Sequence, residues 1–240
     1  MKGYIFVPIF IVGAVLAYII YSQFLPENIR AGGPLVMLLM VLLFLVFVFV
    51  IERLITLNRA KGRGDIGAFM RNLRNNVNQG NLSGAIEVCR RQGGCLANVV
   101  GAGLERYQQL QTANLEKDEL IEETKRTIGE ANALETPILE RNLIALATIA
   151  SIATMVGLLG TVIGMIRSFA AMSKAGAPDA TQLALGISEA LVNTAGGIGI
   201  AIIAIVVYNY FTNRVDSFNY ILDETTYEVL QELQREKKKA

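Results

Sequence analysis

Apolar residues in this chain come in long blocks separated by charged stretches. Tyr4–Leu25 is apolar over about 22 residues with Lys2 in front, a make-up shared by signal peptides and spanning helices. No small-residue cleavage site follows, so the run reads as a persisting first span with Tyr4, Tyr18 and Tyr21 near its ends. Pro26–Gly33 reads as a short polar loop. Pro34–Ile51 then runs without a charge until Glu52-Arg53. It is bulky on every face, which predicts a lipid-facing anchor helix. Two further apolar helices fill Leu143–Phe211, joined by a polar turn at Ser173–Thr181.

Between the second and third runs, Asn58–Arg141 changes to helical periodicity. Ile66, Phe69, Met70, Leu73 and Val77 share one face of a helix over Asp65–Asn78. Leu82, Ala85, Ile86 and Cys89 do so over Asn81–Arg91, and a third helix fits Leu96–Leu110. Glu116–Glu135 is charge-dense, with Glu122 and Arg126 placed to pair at i,i+4. Pro137 either kinks that helix or starts the next. This region carries no catalytic constellation and reads as a small helical assembly domain.

The last two apolar helices have two unlike faces. At 100° per residue, Thr154, Thr161 and Ser168 recur every seven on one side of the third span, flanked by Gly157, Gly160 and Gly164. Met155, Leu159, Val162 and Ile166 fall opposite. On the fourth span Gly186, Glu189, Ala190, Asn193, Thr194, Gly197, Ala201, Ala204 and Tyr208 share a side. Ile187, Leu191, Ile198, Ile202, Ile205 and Val206 take the other. Small residues permit close helix approach in lipid, where apolar burial does not drive helices together. Thr161 and Thr194 each lie 11 residues from the outer ends of their helices, at Met172 and Leu183. That puts both roughly 16 Å deep, near the midplane of a core about 30 Å thick. Glu189 and Arg167 lie nearer that end and are placed to pair. A membrane carboxylate is costly enough to suggest either a specificity-fixing ion pair or a titratable group on an ion path. A threonine can also simply bond back to its own helix, and an arginine alone can snorkel outward. Two polar-faced helices are too few to enclose a path, so copies or a partner helix are implied.

Composition narrows the function. The 240 residues are 52% hydrophobic and only 18% charged, which fits an integral membrane protein. Lys+Arg 22 against Asp+Glu 21 gives no electrostatic footprint for nucleic acid. With no His and two Cys, most metal and haem sites are excluded; no metal or cofactor is expected. Cys89 and Cys95 are expected to be reduced thiols in a cytosolic compartment. Arg53, Arg59, Lys61, Arg63, Lys125, Arg126, Arg141 and Arg214 flank the same ends of the spans. The opposite loops carry only Arg30 and Lys174. The positive-inside rule places both termini and Asn58–Arg141 in the cytoplasm. The tail from Arg214 keeps helical spacing through Val215, Phe218, Ile221 and Leu222, extending the fourth helix.

The segments GLLGTVIGMIRSF (Gly157–Phe169), GISEALVNTAGGIGIAI (Gly186–Ile202) and YNYF (Tyr208–Phe211) resemble the MotA/TolQ/ExbB proton-channel family, closest to the ExbB/TolQ branch. The resemblance covers roughly Pro34–Val215, including the IERLITL stretch after the second span. It implies an inner-membrane pentamer around the single spans of an ExbD- or TolR-like dimer, with force passed to a TonB- or TolA-like protein. It assigns Thr161, Thr194 and Glu189 to the motif hydroxyls and carboxylate of the proton path. Thr154 and Ile203 stand where the family commonly has Pro, which implies straighter spans. The family has three spans, and the N-terminal run makes a fourth here.

The expectation is an all-α membrane protein. Residues 1–25 form an extra span, 34–57 the second, 58–141 a cytoplasmic helical domain and 142–172 the third span. A periplasmic loop at 173–182, the fourth span at 183–213 and a cytoplasmic tail at 214–240 complete it. The expected proton path comprises Thr161, Thr194, Glu189, Thr154 and Asn193, with Arg167 and Glu189 as an ion pair. Gly157, Gly160, Gly164, Gly186 and Gly197 are expected to pack the helices. The leading function is a stator driving TonB-linked transport; Tol-type envelope maintenance, a gliding or secretion motor, and a non-conducting scaffold are the alternatives. No nucleophile–base arrangement supports an enzyme.

Overall fold

Why the apolar blocks become helices is plain from their lengths: 18 or more residues with no backbone partner outside the segment must satisfy their own N–H and C=O groups in lipid. The computed structural model describes residues 6–112, 116–173 and 180–239. Among these there are nine helices and no strand. They are α1 (Phe6–Gln23), α2 (Glu27–Arg30), α3 (Pro34–Ala60), α4 (Ile66–Asn78), α5 (Leu82–Gln92), α6 (Gly94–Gln111), α7 (Lys117–Glu140), α8 (Leu143–Ser173) and α9 (Ala180–Lys239). The readings at Lys2 and Tyr4, and most of the loop at 173–182, lie outside the described residues.

Among the described residues, three helical runs are long and apolar enough to cross a membrane: Pro34–Ala60, Asp118–Ser173 and Ala180–Arg235. The second of these contains both α7 and α8. The apolar stretch Pro8–Gln23 is shorter. The chain divides into two compact units.

The first unit contains α1, α2, α8 and the portions of α3 and α9 up to Glu52 and Tyr210. The division of α8 and α9 into two faces is realised. Gly157, Gly160, Gly164 and Ser168 on α8 are buried, as are Gly186, Glu189, Ala190, Asn193 and Gly197 on α9. Met155, Val162, Ile166, Leu191, Ile202 and Val206 are exposed. α8 passes Thr154 and α9 passes Ile203 without a break in the helix.

The sequence reading of Pro34–Ile51 as an all-round lipid-facing anchor needs correction. Val36, Leu39, Leu42, Val46 and Phe49 form a buried seam at three- and four-residue spacing, while Leu38, Phe47 and Ile51 stay exposed. A uniformly apolar helix hides this distinction, because lipid tails are as apolar as leucine. α1 meets α3 through a small-residue patch: a Cβ on Gly13 would lie 2.7 Å from Cδ1 of Phe44, and Ala17 is buried one turn later. The rest of α1 shows large apolar side chains on its surface, among them Phe10, Val12, Val15 and Ile19.

The second unit contains α4–α7, the end of α3 from Arg53 and the end of α9 from Phe211. Asp65 caps α4 by accepting a bond from Ala68 N at 2.8 Å, and Asn81 caps α5 by accepting one from Gly84 N at 2.9 Å. Phe69, Leu73, Val77, Ile86, Val99, Val100, Leu104 and Tyr107 supply its core. On α9 the buried positions Phe211, Val215, Phe218, Leu222, Thr225, Val229 and Leu233 recur at steps of four or three residues. That seam holds the tail helical to its end, and Arg74 pairs with Glu228 at 2.8 Å.

Three local readings gain detail from the structure. Pro137 lies inside α7, near its end; the helix stops at Glu140, and Asn142 takes φ +68°. Asn tolerates that left-handed conformation better than most side chains, so the break falls five residues beyond the proline. Arg126 pairs with Glu123 at 2.7 Å and approaches Glu130 at 3.9 Å, leaving Glu122 aside. Arg53, read as a membrane-flanking charge, is 1% exposed and donates Nη1 to the Leu139 carbonyl at 2.8 Å. Cys89 and Cys95 are free and buried. Burial pushes both thiols up to about 12, with Glu105 adding to the effect at Cys89 and Glu135 at Cys95.

Candidate functional site: a polar seam between two apolar helices

The seam follows from where α8 and α9 lack side chains. A Cβ on Gly164 would lie 2.6 Å from the Gly186 carbonyl oxygen and 2.8 Å from Ala190 N. One on Gly197 would lie 2.5 Å from the Ala153 carbonyl oxygen and 2.8 Å from Gly157 Cα. One on Gly157 would come within 3.1 Å of the Asn193 carbonyl oxygen. At these points backbone meets backbone, which only glycine allows. Gly160 gives way to the Asn193 side chain, and Gly186 to Ser168. Ser168, fully buried, donates to the Leu183 carbonyl at 3.2 Å.

With the helices this close, Thr161 Oγ1 and Thr194 Oγ1 come into direct hydrogen-bond contact. Thr194 Oγ1 also lies 3.2 Å from the Gly157 carbonyl and 3.1 Å from that of Ala190. Thr161 Oγ1 lies 3.4 Å from the same Gly157 carbonyl. Each hydroxyl has one proton and can accept two bonds. One threonine therefore donates to the other, which donates to a carbonyl, and either order satisfies the geometry. A pair that can reverse its donor order, and that is only half-buried, can exchange a hydrogen bond with an outside water or carboxyl group.

Nearer the α8 C-terminus, Arg167 Nη1 bonds both carboxylate oxygens of Glu189, at 2.5 Å and 2.6 Å. A single nitrogen is shared by the two oxygens. The arginine side chain is 56% exposed and the glutamate 9%. The ion pair is thus lopsided: Glu189 is enclosed, and its cation reaches it from an open flank.

The turn before α3 closes over the glutamate, and sequence reasoning missed this. Gly33 takes φ +70°, and a Cβ there would lie 2.8 Å from Glu189 Oε1. Asn193, with no exposed surface, donates Nδ2 to the Gly32 carbonyl at 2.8 Å and to the Glu189 carbonyl at 3.0 Å. Its Oδ1 has no hydrogen-bond partner. The Gly32-Gly33 pair was the available signal, since paired glycines before a helix suggest close backbone approach.

The candidate residues therefore fall into three places. Thr161 and Thr194 are together and half-buried. Glu189, Arg167 and Asn193 form a second cluster around Gly32-Gly33. Thr154 stands apart, bonded back to the Ala150 carbonyl at 3.1 Å. Among the described residues no group of three His, Cys, Asp or Glu side chains is placed to hold a metal.

Comparison with known proteins bears on this arrangement. The profile of the MotA/TolQ/ExbB proton channel family matches residues 95–224, over half the chain and including the whole seam. The Tol-Pal system protein TolQ of Haemophilus influenzae is 35% identical over 129 residues, 52% of this chain and 57% of that protein. The biopolymer transport protein ExbB of Pseudomonas putida is 32% identical over 175 residues, 71% of this chain and 53% of that protein. The ExbB protein of Salmonella typhimurium is 40% identical over 85 residues, 35% of each chain. The chain spans about half the length of the first two relatives.

Proposed function

The chain belongs to the MotA/TolQ/ExbB proton channel family, and on that premise we propose that it is a proton-conducting inner-membrane stator subunit of the ExbB/TolQ branch. The observation that carries this reading is the Thr161–Thr194 contact: two reversible hydroxyls, half-buried, at matched depth on two apolar helices. In this reading α1 is a fourth span, both termini and residues 58–141 are cytoplasmic, and copies assemble as a pentamer. The ring encloses the single spans of an ExbD- or TolR-like dimer, and lipid covers the bulky faces of α8 and α9. Thr161 and Thr194 exchange hydrogen bonds with the partner's carboxyl group or with water as a proton passes. Glu189, held by Arg167, sets the charge near the outer end of the path. Asn193 belongs to the device that holds Gly32 over Glu189 and lies off the path. The work done is uptake through a TonB-like partner or envelope maintenance through a TolA-like one, in keeping with the names of the ExbB and TolQ relatives.

A scaffold reading has one observation in its favour: Thr154, Thr161 and Thr194 all lie within bonding distance of carbonyls four residues back on their own helices. That bonding satisfies a hydroxyl without any ligand. Proton flux into liposomes, measured with and without the single-span partner, separates the two. Flux that requires both proteins supports the channel; an intact oligomer that never conducts with its partner supports the scaffold.

A further inference from the structure

We propose that a cleft in the second unit, at the charged end of α3, binds the phosphate of an anionic phospholipid headgroup. The cleft has a volume of about 640 Å³. Four arginines line it, Arg59, Arg63, Arg90 and Arg91, and no carboxylate does.

The floor is built from two loops locked together through their backbones. Arg63 N donates to the Gln92 carbonyl at 2.7 Å, and Gln92 Nε2 donates to the Lys61 carbonyl at 3.0 Å. A Cβ on Gly94 would lie 2.5 Å from the Ala60 carbonyl oxygen, and Gly62, Gly93 and Gly94 all take positive φ. The arginines therefore stand on a fixed base. Arg90 and Arg91 are partly neutralised by Glu105 and Glu87, at 2.8 Å and 2.9 Å, in exposed pairs. Among the described residues no carboxylate lies within ion-pair distance of Arg59 or Arg63. Two free guanidinium groups beside two weakly paired ones match a planar, multiply accepting phosphate.

Position along α3 selects a lipid over a dissolved anion. Twenty residues from Pro34 reach Leu54, which spans the roughly 30 Å hydrocarbon core at 1.5 Å per residue. Arg59 then lies about 7–8 Å further on, at the outer edge of the headgroup layer and within side-chain reach of it. Ile55, 48% exposed, also lines the cleft and precedes Arg59 by four residues on α3. An apolar side chain beside cations in one cleft suits a phospholipid headgroup and the start of its acyl chains. The inference requires that α3 span the membrane; it does not require that the chain conduct protons, and the two fail in different assays.

The test uses the full-length protein in detergent, titrated with phosphatidylglycerol, phosphatidylcholine and inorganic phosphate. Native mass spectrometry counts bound lipid, and the thermal midpoint reports stabilisation. The expected result is retained phosphatidylglycerol that raises the midpoint and is weakened at least tenfold in Arg59→Gln/Arg63→Gln. Lys125→Gln/Arg126→Gln, which removes the same charge outside the cleft, should bind as the wild type does. Equal retention of phosphatidylcholine, equal stabilisation by phosphate alone, or unchanged phosphatidylglycerol binding in Arg59→Gln/Arg63→Gln would each overturn the proposal. Both arginines are exposed, so the variant should fold with the wild-type midpoint when no lipid is added.

Discussion

Substituting Gly164 by alanine forces α8 and α9 apart at a point where their backbones meet. The new Cβ would lie 2.6 Å from the Gly186 carbonyl oxygen, and ordinary contact begins at 3.4 Å. The helices must part by about 0.8 Å there, since the obstacle is backbone and cannot rotate away. If the parting extends along the seam, Thr194 Oγ1 moves from 3.2 Å to about 4 Å from the Gly157 carbonyl, beyond hydrogen-bond range. Overpacking costs roughly 1–3 kcal/mol, and a lost interhelical hydrogen bond about 0.6 kcal/mol in membrane proteins. Alanine's better helix propensity returns up to about 1 kcal/mol. The net is a loss of roughly 1–3 kcal/mol, or about 2–12 °C in thermal midpoint for a chain of this size. Gly129→Ala is the control: it lies in α7 with nothing within 4 Å of a Cβ, so it should hold or raise the midpoint. Unfolding of detergent-solubilised variants measures both. A Gly164→Ala protein as stable as Gly129→Ala would refute the glycine-seam argument.

Two other outcomes follow. Arg167→Met leaves the enclosed Glu189 without its cation and should destabilise more than Arg167→Met/Glu189→Gln; a double-mutant cycle should give a coupling of about 1 kcal/mol or more, and additivity would remove the pair's role. With their thiols raised to about 12, Cys89 and Cys95 should resist iodoacetamide at pH 8 and react only on unfolding. Because the folded values exceed the ordinary 9.0, the folded state holds these protons more tightly. Stability should therefore fall as pH rises from about 9 toward 12, with no contribution from these groups to a change below that window.

The two-faced character of α8 and α9 was legible because small and bulky residues alternate there with helical period. Gly164 and Ile166 differ in size, and the structure separates them into buried and exposed. The buried seam of α3 was not legible: Val36, Leu39, Val46 and Phe47 are alike in hydropathy, yet only the first three are buried. Nor could periodicity reveal the bond from Asn193 to Gly32, which joins residues 161 apart in sequence. The stop at Asn142 rather than Pro137 has a local cause, a left-handed residue that outranks a proline tolerated near a helix end. Charge near the spans was only partly informative, because Arg53 is spent on a buried carbonyl and Arg59 is not.

Two single substitutions test the proposed proton path on its two hydroxyl groups. Full-length protein reconstituted with its single-span partner should pass protons into liposomes, and Thr161→Val and Thr194→Val should each abolish that flux. Valine keeps the volume of threonine and removes only the hydroxyl, so the oligomer should remain intact in both. Undiminished flux in the two variants would contradict a path through the Thr161–Thr194 pair.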